Sequence, residues 1–354
     1  MSMKALLATA VTAAVIAVVP AAKAQEYQWR MATAVAENSY FYDAFVKRFV
    51  DYAKELTGGR VQITPYGAGV ITPAFKVYDA VSDGIVELGH SSPGYLLNVD
   101  PANGLLAAFP GGMTGDTMLH WLYDGGGKQL WEQFRESEMH LHPLIVGLHG
   151  SEVFLHSRKP IRSAADLKGL KIRTGGPNGE VVRDYFGAIP VSAAQPEIYG
   201  LLERGAIDAA EFATPAPNAA AGYNEIARYV IVPGIHTPSS PWELVMTQER
   251  WESLPADIQS DLEMAAQLTT LNSYLQTGVD DLAAMDAFRK NKNEIIQLDP
   301  ALIQAYRDAG RDWAKKKAEA QKAKGNDWME KILASYVGFQ ERWIEDSVYR
   351  VEDR

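Results

Sequence analysis

The sequence predicts an α/β protein built as two lobes around a cleft, and three observations carry that prediction. Strand-like and helix-like stretches alternate over residues 27–65 and again over residues 151–212. A change of composition at His149–Gly150 separates the two runs. From Leu254–Pro255 onward the pattern turns almost wholly helical. Two α/β units joined by crossings leave a gap between them, and ligands favour the C-terminal ends of strands in such a fold.

The elements follow in chain order. Met1–Ser2–Met3–Lys4, the apolar run from Ala5 to Pro20 and the small residues of Ala22–Lys23–Ala24 read as a secretory signal over 1–24, with Gln25 opening the mature chain. An uncleaved anchor is the alternative. Tyr27 to Ala34 alternates as a strand. Phe41, Phe45, Phe49 and Tyr52 share one face of a helix over 40–56, which stops at Thr57–Gly58–Gly59. Arg60 to Pro65 is a strand, Phe75 to Asp83 a helix and Val86 to His90 a strand. Asp116 caps a helix through Leu119 and Leu122, and Lys128 to Glu136 is another. Leu144 to Leu148 and Val153 to Ser157 are strands on either side of the crossing between lobes. Leu170 to Thr174 and Asp208 to Phe212 are strands, with helices over 179–186 and 196–204. Helices over 256–288, 300–317 and 327–352 complete the chain.

Composition excludes several classes. The chain has no cysteine, hence no disulfide, thiol nucleophile or thiolate metal site. An exported protein of this kind suits a bacterial periplasm. The net charge of −10 becomes −12 once Lys4 and Lys23 leave, which argues against nucleic acid or an anionic membrane as partner. The histidines His140, His142, His149 and His156 fit no tight zinc spacing, and no HExxH occurs. Neither Gly125–Gly126–Gly127 nor Gly175–Gly176 is a dinucleotide fingerprint, although Gly175–Gly176 before a helix can expose backbone N–H groups to an anion. No GxSxG elbow is present. Asp208 and Glu211, three apart, point to opposite faces of a strand and make no catalytic pair.

Three stretches carry a family resemblance: Tyr27–Gln28–Trp29–Arg30, the segment "LKGLKIR" from Leu167 to Arg173, and "LLERGAIDAAE" from Leu201 to Glu211. With them the mature chain resembles the solute-binding proteins of tripartite ATP-independent periplasmic (TRAP) transporters, DctP-like, and within them the branch for 2-oxo and 2-hydroxy monocarboxylates. The resemblance implies the two-lobed periplasmic binding protein fold, with an interlobe cleft, a long helix spanning both lobes and a helical C-terminal region. It also implies the division of the chain: lobe I from 25–150 plus about 238–275, lobe II from 151–237 plus about 276–325, and a C-terminal helix over 326–354 that can dimerise the protein. Members capture small carboxylates in the periplasm and pass them to a sodium-driven membrane permease.

Residue by residue, the resemblance makes Arg173 the carboxylate clamp. Independently, arginine is a planar fork that pairs with both carboxylate oxygens, and it stands here before a Gly–Gly turn. A surface salt bridge on an edge strand is the plainer reading. The resemblance makes Glu211, Phe212 (through its backbone) and Glu243 ligands of a Na⁺ or Ca²⁺ ion bridging protein and solute, with Trp242 beside them. Hard cations take carboxylate and carbonyl oxygens. Glu152 falls where relatives present an amide oxygen, and a carboxylate there adds charge that favours Ca²⁺. The plainer reading of each glutamate is a helix cap or a solvated rim residue. Asn38 and Tyr40, at the first strand-to-helix turn, are placed at the solute. The loop 213–220 is built of small residues, so the pocket is expected to be wide or to be filled by other aromatics such as Tyr66, Tyr95 and Phe109. An exported enzyme acting on small carboxylates and a periplasmic ligand sensor are the two rival functions.

Overall fold

The computed structural model describes residues 26–348. The expected signal over 1–24 and the end of the expected helix over 326–354 lie outside the described residues. Five strands form sheet I: β1 (Tyr27–Thr33), β2 (Val61–Tyr66), β3 (Leu88–Ser91), β4 (Leu141–His149) and β10 (Ser240–Thr247), in the order β2-β1-β3-β10-β4. Six form sheet II: β5 (Leu155–Ser157), β6 (Lys171–Arg173), β7 (Ile189–Val191), β8 (Ala209–Ala210), β9 (Tyr229–Val232) and β11 (Glu294–Gln297), in the order β11-β9-β5-β8-β6-β7. Each sheet is mostly parallel with one strand inserted the other way. β10 runs antiparallel between β3 and β4, and β5 antiparallel between β8 and β9.

Helices cover the sheets. The first half of the chain supplies α1 (Arg48–Leu56), α2 (Val77–Ser82), α3 (Ala102–Ala107), α4 (Gly115–Tyr123) and α5 (Gly127–Met139). Then come α6 (Gly176–Phe186), α7 (Gln195–Glu203), α8 (Pro215–Ala220), α9 (Tyr223–Ile226) and α10 (Gln248–Glu252). The last are α11 (Ala256–Lys290), α12 (Pro300–Lys322) and α13 (Trp328–Asp346).

Local chemistry accounts for the main features. The aromatic face ahead of α1 begins as a π-helical turn over Tyr42–Lys47, and Phe41 stacks on Phe45 at 4.6 Å. Gly58 and Gly59 take φ of 62° and 81°, left-handed values that end the helix cheaply only for glycine. α11 has 35 residues, about 52 Å at the α-helical rise, and packs on β4 of sheet I and on α8 beside sheet II. Its inner face is small and hydroxylated for a reason. β4 is an edge strand, and α11 satisfies its free backbone groups. The Thr270 hydroxyl donates to the Ile145 carbonyl at 2.7 Å and accepts from Gly147 N–H at 3.1 Å, and Ser273 accepts from Leu148 N–H at 3.3 Å.

Several expectations change. The cap of α4 is Thr114, whose hydroxyl meets Asp116, rather than Asp116 itself. The strand expected over 208–212 shrinks to Ala209–Ala210, which leaves Glu211 and Phe212 beyond its end. The strands β9, β10 and β11 had no counterpart in the sequence reading. α13 buries Met329, Ile332 and Tyr336 against α12 and α3–α5 of its own chain, and the Tyr336 hydroxyl accepts from Met113 N–H at 2.6 Å.

Candidate functional site

Parallel pairing in sheet II sets the site. β6 and β8 align with Arg173 opposite Ala210, so Arg173 and the adjacent Glu211 emerge together at the C-terminal strand ends. Arg173 is 3% exposed. Its Nε donates to the Ala193 carbonyl at 3.0 Å, and its Nη1 to the Glu211 carbonyl at 2.6 Å and to Glu211 Oε2 at 3.4 Å. The Phe212 ring lies 5.7 Å from the guanidinium carbon, a cation–π contact that fixes the plane of the fork. Gly175 N–H donates to Glu211 Oε1 at 2.6 Å, so the Gly–Gly turn supplies a backbone donor to the protein's own carboxylate.

Glu152 arrives from the crossing between the sheets, where it forms a bridge with Gly234. Its Oε2 is 3.0 Å from His236 Nε2, and its Oε1 is 3.8 Å from His149 Nε2. Ligand atoms of Glu152, Glu211 and His236 all lie within 4.8 Å of one another. Around them is a compact cavity of about 70 Å³, lined from sheet II by Glu152, Arg173, Glu211 and Phe212 and from sheet I by Ser92, Tyr95, His149, Ser240 and Trp242. Both lobes therefore face one cavity.

The two carboxylates of this cavity are driven apart. Burial and the neighbouring charge of Glu211 push Glu152 well above the usual carboxylate range. Burial would raise Glu211 too, but Arg173, with His236 and the Gly175 N–H, holds it below that range. Burial pushes His236 and His149 down to about 4. Glu152, the carboxyl that resists ionisation, therefore stands beside the His236 imidazole, while Arg173 favours the ionised form of Glu211.

Among the expected site residues, Arg173, Glu152, Glu211, Phe212 and Trp242 come together here. Trp242 lies between the His90 ring, stacked at 5.6 Å, and Phe41. Asn38 and Tyr40 do not join them. They line a separate pocket of about 220 Å³ behind Phe212, and the Tyr40 hydroxyl donates to Asp280 at 2.6 Å.

Glu243 is the correction. It is fully buried on the other face of sheet I. Successive strand residues face opposite ways, so Trp242 toward the cleft sends Glu243 to the α2–α5 layer. There it accepts from the Tyr78 hydroxyl (2.7 Å), Trp131 Nε1 (2.8 Å) and Arg135 Nη2 (2.5 Å). That carboxylate is saturated and has no lone pair to offer an ion in the cleft.

The loop 213–220 also differs from the expectation of a wide pocket. Residues 215–220 form α8, whose N-terminus is held by Asp281 of α11: the Thr214 hydroxyl donates at 2.8 Å and Ala216 N–H at 2.7 Å. Its small residues allow two helices to approach. The sequence reading passed over His236, Ser92 and Ser240, weighed His149 only as a zinc ligand, and had Tyr95 only as filling. His149 was visible as a histidine at the lobe crossing; nothing local marks the others.

Two other features attract attention and carry less chemistry. Glu132, His142 and Glu263 cluster in a half-buried position where Lys128 already bonds both glutamates, with Nζ 2.9 Å from Glu263. A groove of about 620 Å³ beside α13 has no buried ionisable group on its walls. No helix among the described residues is long and apolar enough to cross a membrane.

Comparison with known proteins agrees with this geometry. The family described as bacterial extracellular solute-binding protein, family 7 (DctP) matches residues 31–321. A monocarboxylate 2-oxoacid-binding periplasmic protein of Nostoc sp. is 33% identical over 253 residues, 70% of this chain and 68% of that one. A TRAP periplasmic solute-binding protein of Pseudoalteromonas atlantica, solved with sodium and pyruvate, superposes with a TM-score of 0.83 at 28% identity, covering 91% of this chain and 97% of that one. A counterpart from Colwellia psychrerythraea, solved with calcium and pyruvate, gives 0.83 at 26% identity with the same coverage.

Proposed function

This chain belongs to family 7 of the bacterial extracellular solute-binding proteins, and on that premise we propose that its cleft captures a small 2-oxo or 2-hydroxy monocarboxylate together with a bound cation. Family membership makes it a DctP-like periplasmic component of a TRAP transporter, a binding protein rather than an enzyme, with a small acid as ligand and a membrane permease as recipient. One observation carries the finer reading. Arg173, Glu211 and Glu152 converge on a single cavity between the two sheets, with one more carboxylate than the arginine neutralises.

The donor set suits a hard cation. Glu152 and Glu211 would hold it, with the Phe212 carbonyl as a further oxygen, and His236 would orient Glu152 from behind. The relatives solved with sodium and with calcium support either ion at such a position. A bound cation neutralises the carboxylates, so that a solute carboxylate can enter beside Glu211 rather than be repelled by it.

Arg173 then pairs with the solute carboxylate. Its Nε and Nη1 bonds to Ala193 and Glu211 fix its plane before the solute arrives, which lowers the ordering cost of binding. Closing the lobes removes water from these charge-assisted bonds and strengthens them. Binding thereby shifts a hinge equilibrium, and the permease reads the closed form. Calorimetry with pyruvate as probe tests this: cation-dependent binding is expected, and affinity unchanged after removal of both sodium and divalent ions rejects the bridge.

A further inference from the structure

The Phe212 ring stands between two spaces. On one side is the cavity of about 70 Å³ that holds Arg173, Glu152 and Glu211. On the other is the pocket of about 220 Å³ bounded by Phe41, Pro217 and Ala221. Phe212 lines both and is itself buried. Three neighbours hold the ring in place. Phe41 meets it at 5.7 Å, Tyr223 meets it edge-on at 6.5 Å, and the Arg173 guanidinium carbon lies 5.7 Å from its centre. Phe41 is stacked in turn on Phe45 at 4.6 Å and on the His149 ring at 5.2 Å, so side chains of sheet I brace the partition.

The two spaces differ in what they admit. At about 10–15 Å³ for each water-sized group, the smaller one takes about five to seven such groups. Pyruvate has about as many non-hydrogen atoms, so it fills that cavity and leaves no room for a tail. The cavity has three aromatic walls, and two of them are backed by packed rings. Trp242 has the His90 ring stacked on it at 5.6 Å, and Tyr95 has Phe75 against it at 4.6 Å. Phe212 alone of the three has a chamber behind it. The room expected from the small residues of the 213–220 loop therefore exists, with Pro217 and Ala220 on its walls, but on the far side of the ring.

We propose that the Phe212 side chain sets the length of the solute: it confines the site to three- and four-carbon 2-oxo and 2-hydroxy acids and closes off a chamber with room for a longer aliphatic tail. The inference rests on the reading of the cleft given above. A tail forced into a filled site must displace packed side chains, which costs more than its burial gains. A tail entering an open apolar pocket gains about fourfold in affinity per buried methylene. The ring decides between these two outcomes. The role assigned to Phe212 in holding the cation belongs to its backbone carbonyl, so a change of side chain alters the wall and keeps that oxygen.

Calorimetry on the chain from Gln25 onward, with calcium present and pyruvate, 2-oxobutanoate and 2-oxohexanoate as probes, tests the proposal. The readout is the affinity relative to pyruvate within each protein, so that any loosening of Arg173 cancels. In the wild type, 2-oxohexanoate should bind at least about tenfold more weakly than pyruvate. Phe212→Ala should narrow that ratio by at least about tenfold. Phe212→Leu, which keeps an apolar side chain in the core in case the alanine variant does not fold, should narrow it by a smaller step. Adding Ala221→Leu to Phe212→Ala refills the chamber from its far wall and should restore the cut-off, whereas Ala221→Leu alone should leave pyruvate binding unchanged. A wild type that binds 2-oxohexanoate as tightly as pyruvate, or Phe212 variants that keep the wild-type ratio, overturns the proposal. Pyruvate that fails to bind the wild type overturns the reading of the cleft instead. The wall then stands if Phe212→Ala gains binding of 2-oxohexanoate that Ala221→Leu removes, and falls if it does not.

Discussion

Two buried arginine–glutamate clusters, one in each lobe, share their chemistry and differ in what is left over. In lobe I, Glu243 meets Arg135, Trp131 and Tyr78, and both charged side chains are fully buried. Charge and hydrogen bonds balance, and nothing remains for a ligand. In the cleft, Arg173 balances Glu211, but Glu152 stands beside them with only the His236 and His149 imidazoles for company. Buried charge is expensive unless it is paired. The saturated cluster therefore holds a fold together, and the unsaturated one resists carrying its second negative charge until a cation arrives. The difference between structural and functional burial here is a single uncompensated carboxyl group.

The largest expected effect lies on the saturated side. Glu243→Ala strands Arg135 without a counter-charge and should cost about 3–5 kcal/mol of stability by chemical denaturation. A variant as stable as the parent that has lost only solute binding would erase the contrast. On the other side, Arg173→Ala should weaken pyruvate binding by at least about tenfold, or about 1.4 kcal/mol, with the fold intact. Normal binding in calorimetry would remove Arg173 from the site.

The proton on Glu152 sharpens the comparison further. Its raised folded-state value means that the empty protein gains stability from this group at low pH and loses it as pH climbs through that value. A cation must displace the same proton. Ca²⁺ affinity should therefore rise with pH, by about tenfold per unit below the Glu152 value, and binding should release a proton detectable as buffer-dependent heat. With both glutamates ionised and a monocarboxylate bound, a divalent ion neutralises the cluster and a monovalent one leaves a negative charge. Glu152→Gln should flatten the pH dependence and shift preference toward Na⁺; an unchanged Ca²⁺ profile would place the proton elsewhere.

The smallest effect concerns a buried histidine that belongs to neither cluster. Both ring nitrogens of His156 lack a partner, the ring meets only Tyr223 and Phe288 edge-on, and burial pushes it down to about 3. A depressed value contributes stability that is present above the unfolded value and lost as pH falls toward the folded one. Stability should drop by about 1.4 kcal/mol per pH unit from this group between its unfolded value and about 3. His156→Phe keeps the ring contacts and should make the acid limb of the stability profile shallower by one proton. An unchanged slope would show that His156 takes up its proton elsewhere on the profile.

How much of this was legible depends on the range of each interaction. The strand–turn pattern put Arg173 and Glu211 near strand ends, and the resemblance carried by residues 167–211 supplied their roles. The alternation rule that separated Asp208 from Glu211 applies equally to Trp242 and Glu243, but β10 showed no strand signal of its own, so it could not be used there. Along α11 the spacing of Met264, Leu268, Leu271 and Leu275 is helical too, and Met264, Leu271 and Leu275 are exposed. Periodicity reports that a stripe exists and says nothing of which way it faces, and an edge strand in need of hydroxyl partners turned the leucines outward.

The linear chain alone pointed to export and set the absence of thiol chemistry, two α/β units with a helical end, and an arginine and an acid at the strand ends, because each is written in neighbouring residues. Tertiary structure decided which carboxylates share a cavity, which histidines stand behind them, and which glutamate is only a strut. Those outcomes depend on residues brought together from different segments, as in the 3.0 Å contact of Glu152 with His236, 84 positions away, and on the field they create together, which no local pattern encodes.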